Sequence, residues 1–85
     1  MVRTPLLCAA DGGHKEVIAY LLQNGAKING TGTAVKETAL HLAAQNGHLE
    51  VVKLLLSKSA DKKATTTEGK TPSDVATPEA KALLA

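Results

Sequence analysis

A Gly-Lys-Thr triplet, three histidines and one cysteine are the residues of this chain whose types could do chemistry. Gly69-Lys70-Thr71 matches the end of a phosphate-binding loop, in which backbone amides and a lysine hold the phosphates of a nucleotide. The complete motif requires a glycine five residues before Gly69, and Ala64 stands at that position. The triplet therefore predicts no nucleotide site, and we expect no cofactor.

The histidines, His14, His41 and His48, are the candidate metal ligands or general bases. Zinc sites usually combine paired cysteines with histidines, or place two histidines on one helix face, and the sequence has neither pattern. It also lacks a Gly-x-Ser-x-Gly nucleophile motif, and Cys8 lies in the apolar run 6–10, where a cysteine is usually a small buried hydrophobe. We therefore predict no metal site, no catalytic residue and no enzymatic activity.

Charge and composition restrict the partners further. The ten basic and eight acidic residues are scattered, with one arginine and one aromatic residue, whereas nucleic-acid binding needs a dense basic stripe. No apolar run approaches the roughly 18 residues of a membrane-spanning helix. A single cysteine rules out an internal disulfide. We therefore predict an intracellular, cytoplasmic chain that binds neither nucleic acid nor membranes.

The elements that carry these residues form an internal repeat. Residues 4–26 and 38–60 align at an offset of 34, with eleven of the 23 positions identical, and a third unit starts at Thr71-Pro72. A period of this length indicates a stack of supersecondary units, none of which can bury its apolar face alone. The sequence therefore predicts an all-α repeat solenoid that binds rather than catalyses.

Each repeat contains a short helix, a glycine turn, a longer helix and a connector. Thr4 and Thr38 are suitable N-caps, and Gly13 and Gly47 can end the first helices in the left-handed conformation. Helical spacing predicts longer helices at about 14–24 and 48–58. The connectors 26–37 and 60–70 are rich in Gly, Thr, Lys and Asn, so we expect short β-hairpins there.

Several segments match a known pattern. Thr38-Ala39-Leu40-His41-Leu42-Ala43-Ala44, the run from Gly47 to Leu56, and Gly69-Lys70-Thr71-Pro72 all resemble the ankyrin-repeat family. The resemblance implies a helix-turn-helix stack with short β-hairpin connectors. It also implies one domain over 1–85, with repeats at about 1–29, 30–63 and 64–85, in which the histidines are structural.

Two departures from the family lead to further expectations. Lys36 stands where the family has glycine, so the tip of the first connector should differ in shape from the second. Leu7 replaces the family's histidine, and Leu6, Leu7 and Cys8 begin the array with no repeat before them. We expect these three residues to form a bare apolar N-terminal face through which the protein weakly self-associates.

The resemblance implies a protein–protein interaction module that uses the concave face, built from connector tips and first helices. The alternative is a structural spacer or capping segment of a larger ankyrin-containing protein, without its own partner. Carried over to this sequence, the binding positions are Arg3, Asp11, Gly12, Ala34, Val35, Glu37, Gln45, Asn46, Thr67, Glu68 and Lys70.

Overall fold

The computed structural model describes residues 3–32 and 34–85. These residues fold into six helices within a body of 29 × 26 × 20 Å. In chain order the helices are α1 Pro5–Gly12, α2 Lys15–Gln23, α3 Ala39–Gln45, α4 Leu49–Ser57, α5 Pro72–Val75 and α6 Pro78–Leu84.

The helices form three antiparallel pairs, stacked side by side. In each pair the two helices pack on one another, and α1, α3 and α5 make one layer while α2, α4 and α6 make the other. The all-α repeat stack predicted from the sequence is confirmed, and α5, with four residues, is the shortest member. No helix in the described residues is both long and apolar enough to cross a membrane.

Threonine side chains start four of the six helices. Thr4 and Thr38 accept hydrogen bonds from the backbone N–H three residues later, which confirms the N-caps expected from the sequence. Thr71 and Thr77 do the same for α5 and α6. Each such cap satisfies an amide that lacks a helical partner and contributes about 1 kcal/mol. The threonine caps therefore help to fix where each repeat begins, in addition to the packing between repeats.

The turn inside each of the first two pairs depends on glycine. Gly13 and Gly47 have φ of 76° and 70°, a region that residues with a Cβ rarely adopt. Gly13 is also closely approached by the next repeat, because a Cβ there would lie 2.7 Å from His48 Nδ1. This turn therefore needs glycine both for its backbone conformation and for contact between repeats.

The core is a thin layer of aliphatic and alanine side chains shared by all three pairs. It includes Leu6, Leu7, Ala10, Ile18, Leu40, Leu42, Ala43, Ala44, Val51, Val52, Leu55, Ala80 and Leu84. Alanines on α1 and α3 allow the helices of adjacent repeats to approach closely. Leu55 is fully buried in the middle pair, which has neighbours on both sides.

The connectors differ from the expected β-hairpins. The described residues contain no strand, and the connectors are successive turns. In the second connector Thr66 N–H donates to Lys70 O at 2.9 Å, and Gly69 N–H donates to Thr66 O at 2.9 Å. These bonds close a tight tip that leaves too few residues for a ladder of strand hydrogen bonds.

The difference that we expected Lys36 to cause in the first tip is not seen in the backbone at that residue. Lys36 has φ of 60°, close to the 78° of Gly69, its counterpart in the second connector. Ser59 likewise has φ of 68° where its counterpart Gly25 has 93°. The stack imposes the same turn on residues that disfavour it, at a cost of roughly 1 kcal/mol or more each.

The expectation of a bare N-terminal face made by Leu6, Leu7 and Cys8 is wrong for Leu6 and Leu7, which are buried in the core. Cys8 is exposed, contrary to the separate expectation that it is a small buried hydrophobe. Leu6 and Leu7 thus lie on the side of α1 that packs into the core, and Cys8 lies on a side that is exposed. Among the described residues of this repeat, the large apolar side chains that are exposed are instead Val17 and Tyr20, on α2.

Candidate protein-binding face

The connector tips and the ends of the first helices enclose a shallow groove of about 210 Å³. Seven residues line it, and we call this set the groove: Val35, Glu37, Gln45, Thr66, Glu68, Lys70 and Val75. Five of the seven belong to the binding positions carried over from the sequence, all except Thr66 and Val75. The structure therefore brings about half of those positions to one place.

Hydrogen bonds between the connectors set the groove's floor. Thr67 N–H donates to Val35 O at 3.0 Å, which ties the second tip to the first. Thr66 Oγ1 accepts from the backbone N–H groups of Glu68 and Lys70 at 3.2 and 3.3 Å. The backbone of both tips is thus fixed, while the side chains of Val35, Glu68 and Lys70 remain exposed.

His41 anchors the groove from inside the stack. Its ring is fully buried, with Nδ1 accepting from Thr38 N–H at 3.1 Å and Nε2 donating to Lys70 O at 2.8 Å. These two contacts require the neutral ring with its proton on Nε2. They use both ring nitrogens, so His41 has a structural role, as the family resemblance implied.

A charged network lies beside the groove. Arg3 contacts Asp11 at 3.1 Å and Glu37 at 3.9 Å, and Asn46 Nδ2 donates to Asp11 Oδ1 at 2.7 Å. These four residues are all predicted binding positions, and the structure brings them together. Their polar groups contact one another across the first two repeats. The network therefore holds these repeats together and also lies on the candidate binding face.

His48 completes the brace between the repeats. Its Nε2 donates to the backbone carbonyl of Asp11 at 2.9 Å, and its ring lies against Gly13. His14, the counterpart in the first repeat, is exposed, and its ring lies over Gly12. The described residues contain no cluster of three or more possible metal ligands.

The remaining predicted positions lie at the margins of the face. Gly12 is exposed at the end of α1, and Ala34 is exposed at the first tip next to Val35. Thr67 contributes its backbone to the tip contact and exposes its side chain. None of these three residues lines the groove.

Thr66 and Val75 are the groove residues that sequence reasoning missed. Thr66 directly precedes Thr67 at the second tip, so its position in the connector was a usable signal. Val75 is the counterpart of the buried Leu42, and the repeat pattern therefore assigns it to the core. It reaches the groove because α5 ends there after one turn.

The groove can bind but is poorly built for catalysis. Val35, 41% exposed, and Val75 provide apolar contact, while Glu37, Glu68, Lys70 and Gln45 provide both charges and an amide. An open hollow of this size does not exclude water from a reacting centre. The arrangement suits a side chain of a protein partner more than a small-molecule substrate.

Three stacked helix pairs joined by tight connectors define a helical repeat protein. A family model described as ankyrin repeats in three copies matches residues 2–66 and, overlapping, residues 30–79. The chain belongs to the ankyrin-repeat family. A search of curated proteins finds no match to this sequence. Ankyrin repeats generally mediate protein–protein interaction and are typically non-enzymatic.

Proposed function

We propose that this chain binds a partner protein through the groove. The supporting observation is that five positions, chosen from connector tips and first-helix ends, converge on a single hollow. The hollow has a fixed backbone, because His41 holds the second tip and Thr67 links it to the first. A preorganised floor lowers the entropy cost of binding, which favours recognition by this surface.

The groove residues divide into two groups by their contacts. Glu37 lies against Arg3 within the charged network, whereas Val35, Gln45, Glu68 and Lys70 project around the hollow. We expect the second group to provide most of the binding energy, because a few central residues usually dominate an interface. A matching partner presents an aliphatic side chain toward Val35, next to polar groups that pair with Glu68 and Lys70.

Affinity capture from cell extract tests this function, with two matched variants. Gln45→Arg places a bulky cation in the groove, and Gln23→Arg makes the same change at the exposed end of α2, outside it. We expect a protein that is retained by the original chain and by Gln23→Arg but lost with Gln45→Arg. The captured protein is then identified and its affinity for all three chains is measured in purified form.

The alternative function, a spacer or capping segment, predicts a different result. In that case Gln45→Arg and Gln23→Arg capture the same proteins as the original chain, and the proposal is rejected. Circular dichroism of both variants is the control for folding, since neither glutamine belongs to the buried core.

We also propose that the protein works in a reducing, intracellular compartment such as the cytoplasm. The support is that Cys8 is a free and exposed thiol. Exposed thiols persist in reducing surroundings, whereas oxidising ones convert them to disulfides or other products. Fractionation of the producing cells tests this, and recovery of the chain with an oxidised Cys8 from an extracellular fraction contradicts it.

A further inference from the structure

The tripeptide Gln-Asn-Gly occurs twice in this chain, at residues 23–25 and 45–47. Each copy ends a helix, with Asn24 following α2 and Asn46 following α3. The glycine after each asparagine is in the left-handed conformation, with φ of 93° and 70°, and the two asparagines have similar ψ angles of 20° and 3°. The chain therefore places one sequence in one local conformation at two different positions in the stack.

Asn-Gly is the dipeptide in which an asparagine side chain most readily reacts with its own backbone, because glycine has no Cβ to hinder the approach. The glycine nitrogen attacks Cγ of the asparagine, the bond from Cγ to Nδ2 breaks, and ammonia leaves with the proton of the glycine N–H. Water then adds to the cyclic imide and breaks either of its ring C–N bonds, which yields aspartate or isoaspartate. Both asparagines are exposed, so solvent supplies the water, and each reaction replaces an amide with a carboxylate.

The folded backbone opposes this reaction at both sites. The ring closes only when the glycine nitrogen turns to the side of the asparagine Cβ, whereas the observed ψ angles of 20° and 3° place it beside the asparagine's own backbone nitrogen. Gly25 N–H also donates to Leu22 O at 3.2 Å, and Gly47 N–H donates to Ala44 O at 3.3 Å. Reaction therefore requires the helix end to open, at a free-energy cost set by the surrounding contacts.

The contacts that break on opening differ between the two sites. Asn24 Nδ2 donates to Tyr20 O at 2.8 Å within its own helix, and a Cβ at Gly25 would meet no atom within 4 Å. Asn46 Nδ2 instead donates to the first repeat, to Asp11 Oδ1 at 2.7 Å and to Asp11 O at 3.2 Å. The amide of Asn46 is therefore held by another repeat, whereas that of Asn24 is held by its own helix.

The third repeat also holds the turn after α3. Ala44 O accepts from Gly47 N–H and, at 3.1 Å, from Thr77 N–H, which directly precedes α6. Opening the end of α2 breaks bonds within one helix, whereas opening the end of α3 breaks bonds to the repeats on both sides. Asn46 should therefore react more slowly than Asn24 while the stack is closed.

A carboxylate at residue 46 cannot restore the contact that the amide makes. The amide donates to Asp11, whereas a carboxylate only accepts, so two negative groups would face each other where the 2.7 Å bond now lies. Arg3 already contacts both Asp11 and Glu37, so it offsets a third carboxylate only in part. Deamidation at this position therefore replaces an attraction between the first two repeats with a repulsion.

The third Asn-Gly pair of the chain, Asn29-Gly30, shows the opposite case. Asn29 Oδ1 accepts from Asp61 N–H at 2.8 Å, which links the first two connectors. A carboxylate at residue 29 keeps that acceptor, so reaction there should leave the link intact. Asn46 differs because its contact depends on the donor that deamidation removes.

We propose that Asn46 is a deamidation site controlled by Asp11. Contact with Asp11 protects the amide while the first two repeats are closed together. When their junction opens and Asn46 reacts, the product carboxylate opposes Asp11 and prevents the junction from closing as before. The reaction is thus a one-way change in the contact between these repeats, and it acts whether or not a partner occupies the groove.

Mass spectrometry of the ageing protein tests the protection. The folded chain is kept at mildly alkaline pH, samples are digested, and the deamidated fraction is followed at both Gln-Asn-Gly sites of the same molecules. We expect Asn46 to react at least about tenfold more slowly than Asn24 in the folded chain, and the two rates to agree within about twofold in concentrated urea, where only the shared tripeptide remains. Equal rates in the folded chain overturn the proposal.

Removal of the partner side chain tests the role of Asp11. We expect Asp11→Ala to raise the rate at Asn46 by about fivefold or more and to leave the rate at Asn24 unchanged, which shows that the chain is still folded. Glu50→Ala is the matched control, because it also removes an acid that pairs across this boundary, with Lys15 at 3.7 Å, and it should leave both rates unchanged. A rate at Asn46 that Asp11→Ala does not raise overturns the proposal.

The effect of the product is tested with Asn46→Asp. Asn24→Asp is the matched control, because it adds the same charge at the end of α2. We expect Asn46→Asp to lower the urea midpoint more than Asn24→Asp does, and to lower it less in a chain that also carries Asp11→Ala. An equal shift with and without Asp11 overturns the proposal, since the new carboxylate is then not opposed by Asp11.

Discussion

The first and second helix pairs share about half of their aligned residues but are held together differently. In the second pair His41 joins the start of α3 to the connector that follows, through Thr38 and the carbonyl of Lys70. In the first pair the same position is Leu7, which is equally buried but whose side chain can make no hydrogen bond. The comparison shows that a repeat tolerates exchange of a polar anchor for an apolar one when the volume is filled.

The two pairs differ more in their surroundings than in their sequences. The second pair has neighbours on both sides, whereas the first contacts the second on one side only. Leu55 is consequently fully buried, while its counterpart Leu21 is partly exposed at the edge of a hollow. The same residue type at the same repeat position should therefore contribute unequally to stability.

The largest expected effect is that of Leu55→Ala. Removing this fully buried side chain leaves a cavity in the middle pair and should lower the free energy of unfolding by about 2–5 kcal/mol. Leu21→Ala is the matched control, and we expect a loss of about 1 kcal/mol because that side chain is already partly solvated. Urea unfolding followed by circular dichroism measures both, and equal losses would show that the two pairs do not differ in burial as described.

The second prediction exchanges the anchors. His41→Leu gives the second pair the residue of the first, and it leaves the Lys70 carbonyl and the Thr38 N–H without their ring partner. We expect a loss of about 1–3 kcal/mol in unfolding free energy and faster hydrogen exchange in residues 66–70. If exchange in that connector stays unchanged, His41 does not hold the tip.

The third prediction concerns the two strained turns. Lys36→Gly and Ser59→Gly relieve positive φ angles, and part of that gain is offset by the greater freedom of glycine in the unfolded chain. We expect each change to stabilise the fold by up to about 1 kcal/mol. Gly25→Ser is the reverse control. A Cβ at Gly25 would meet no atom within 4 Å, so the expected loss of stability comes from the backbone conformation alone.

Local chemistry made much of this fold predictable. Threonine caps, left-handed glycines and the helical spacing of α2 and α4 depend on a few adjacent residues, and each was found where the sequence indicated it. The internal repeat predicted that the helix pairs stack, because two copies of one unit imply a common surface between them. The family resemblance added the positions of the candidate binding face.

The errors lie where contacts between elements, and not the adjacent residues of the chain, decide the structure. Residues 6–10 are all apolar, so periodicity could not tell which side of α1 faces inward, and Leu6 and Leu7 were wrongly expected to be bare. Lys36 has a side chain that disfavours positive φ, and only the packing of neighbouring repeats imposes that turn. Val75 reached the groove because α5 stops early, which the repeat pattern alone does not indicate.

The smallest expected effect is a pH dependence that distinguishes the third repeat from the second. Both have a capping box, with His41 returning a bond to Thr38 in one and Asp74 to Thr71 in the other. The hydrogen bond from Thr71 N–H to Asp74 Oδ2, at 2.8 Å, is the main cause that lowers the pKa of Asp74 below its ordinary value of 3.8, and the Thr71 hydroxyl adds to it.

A carboxyl group whose pKa is lower in the folded state than in the unfolded state stabilises the fold above the unfolded value. For Asp74 that contribution is fully present above about pH 3.8 and is lost as the pH falls through its lowered folded pKa.

Asp74→Asn removes the charge at every pH, so the difference in stability between this variant and the original chain should shrink as the solution is acidified below about pH 3.8. Urea midpoints of both chains at a series of pH values give the comparison. The effect should be small because the carboxylate is solvent-exposed, and two parallel curves across the acid range would mean that the Thr71 bond does not favour the ionised form.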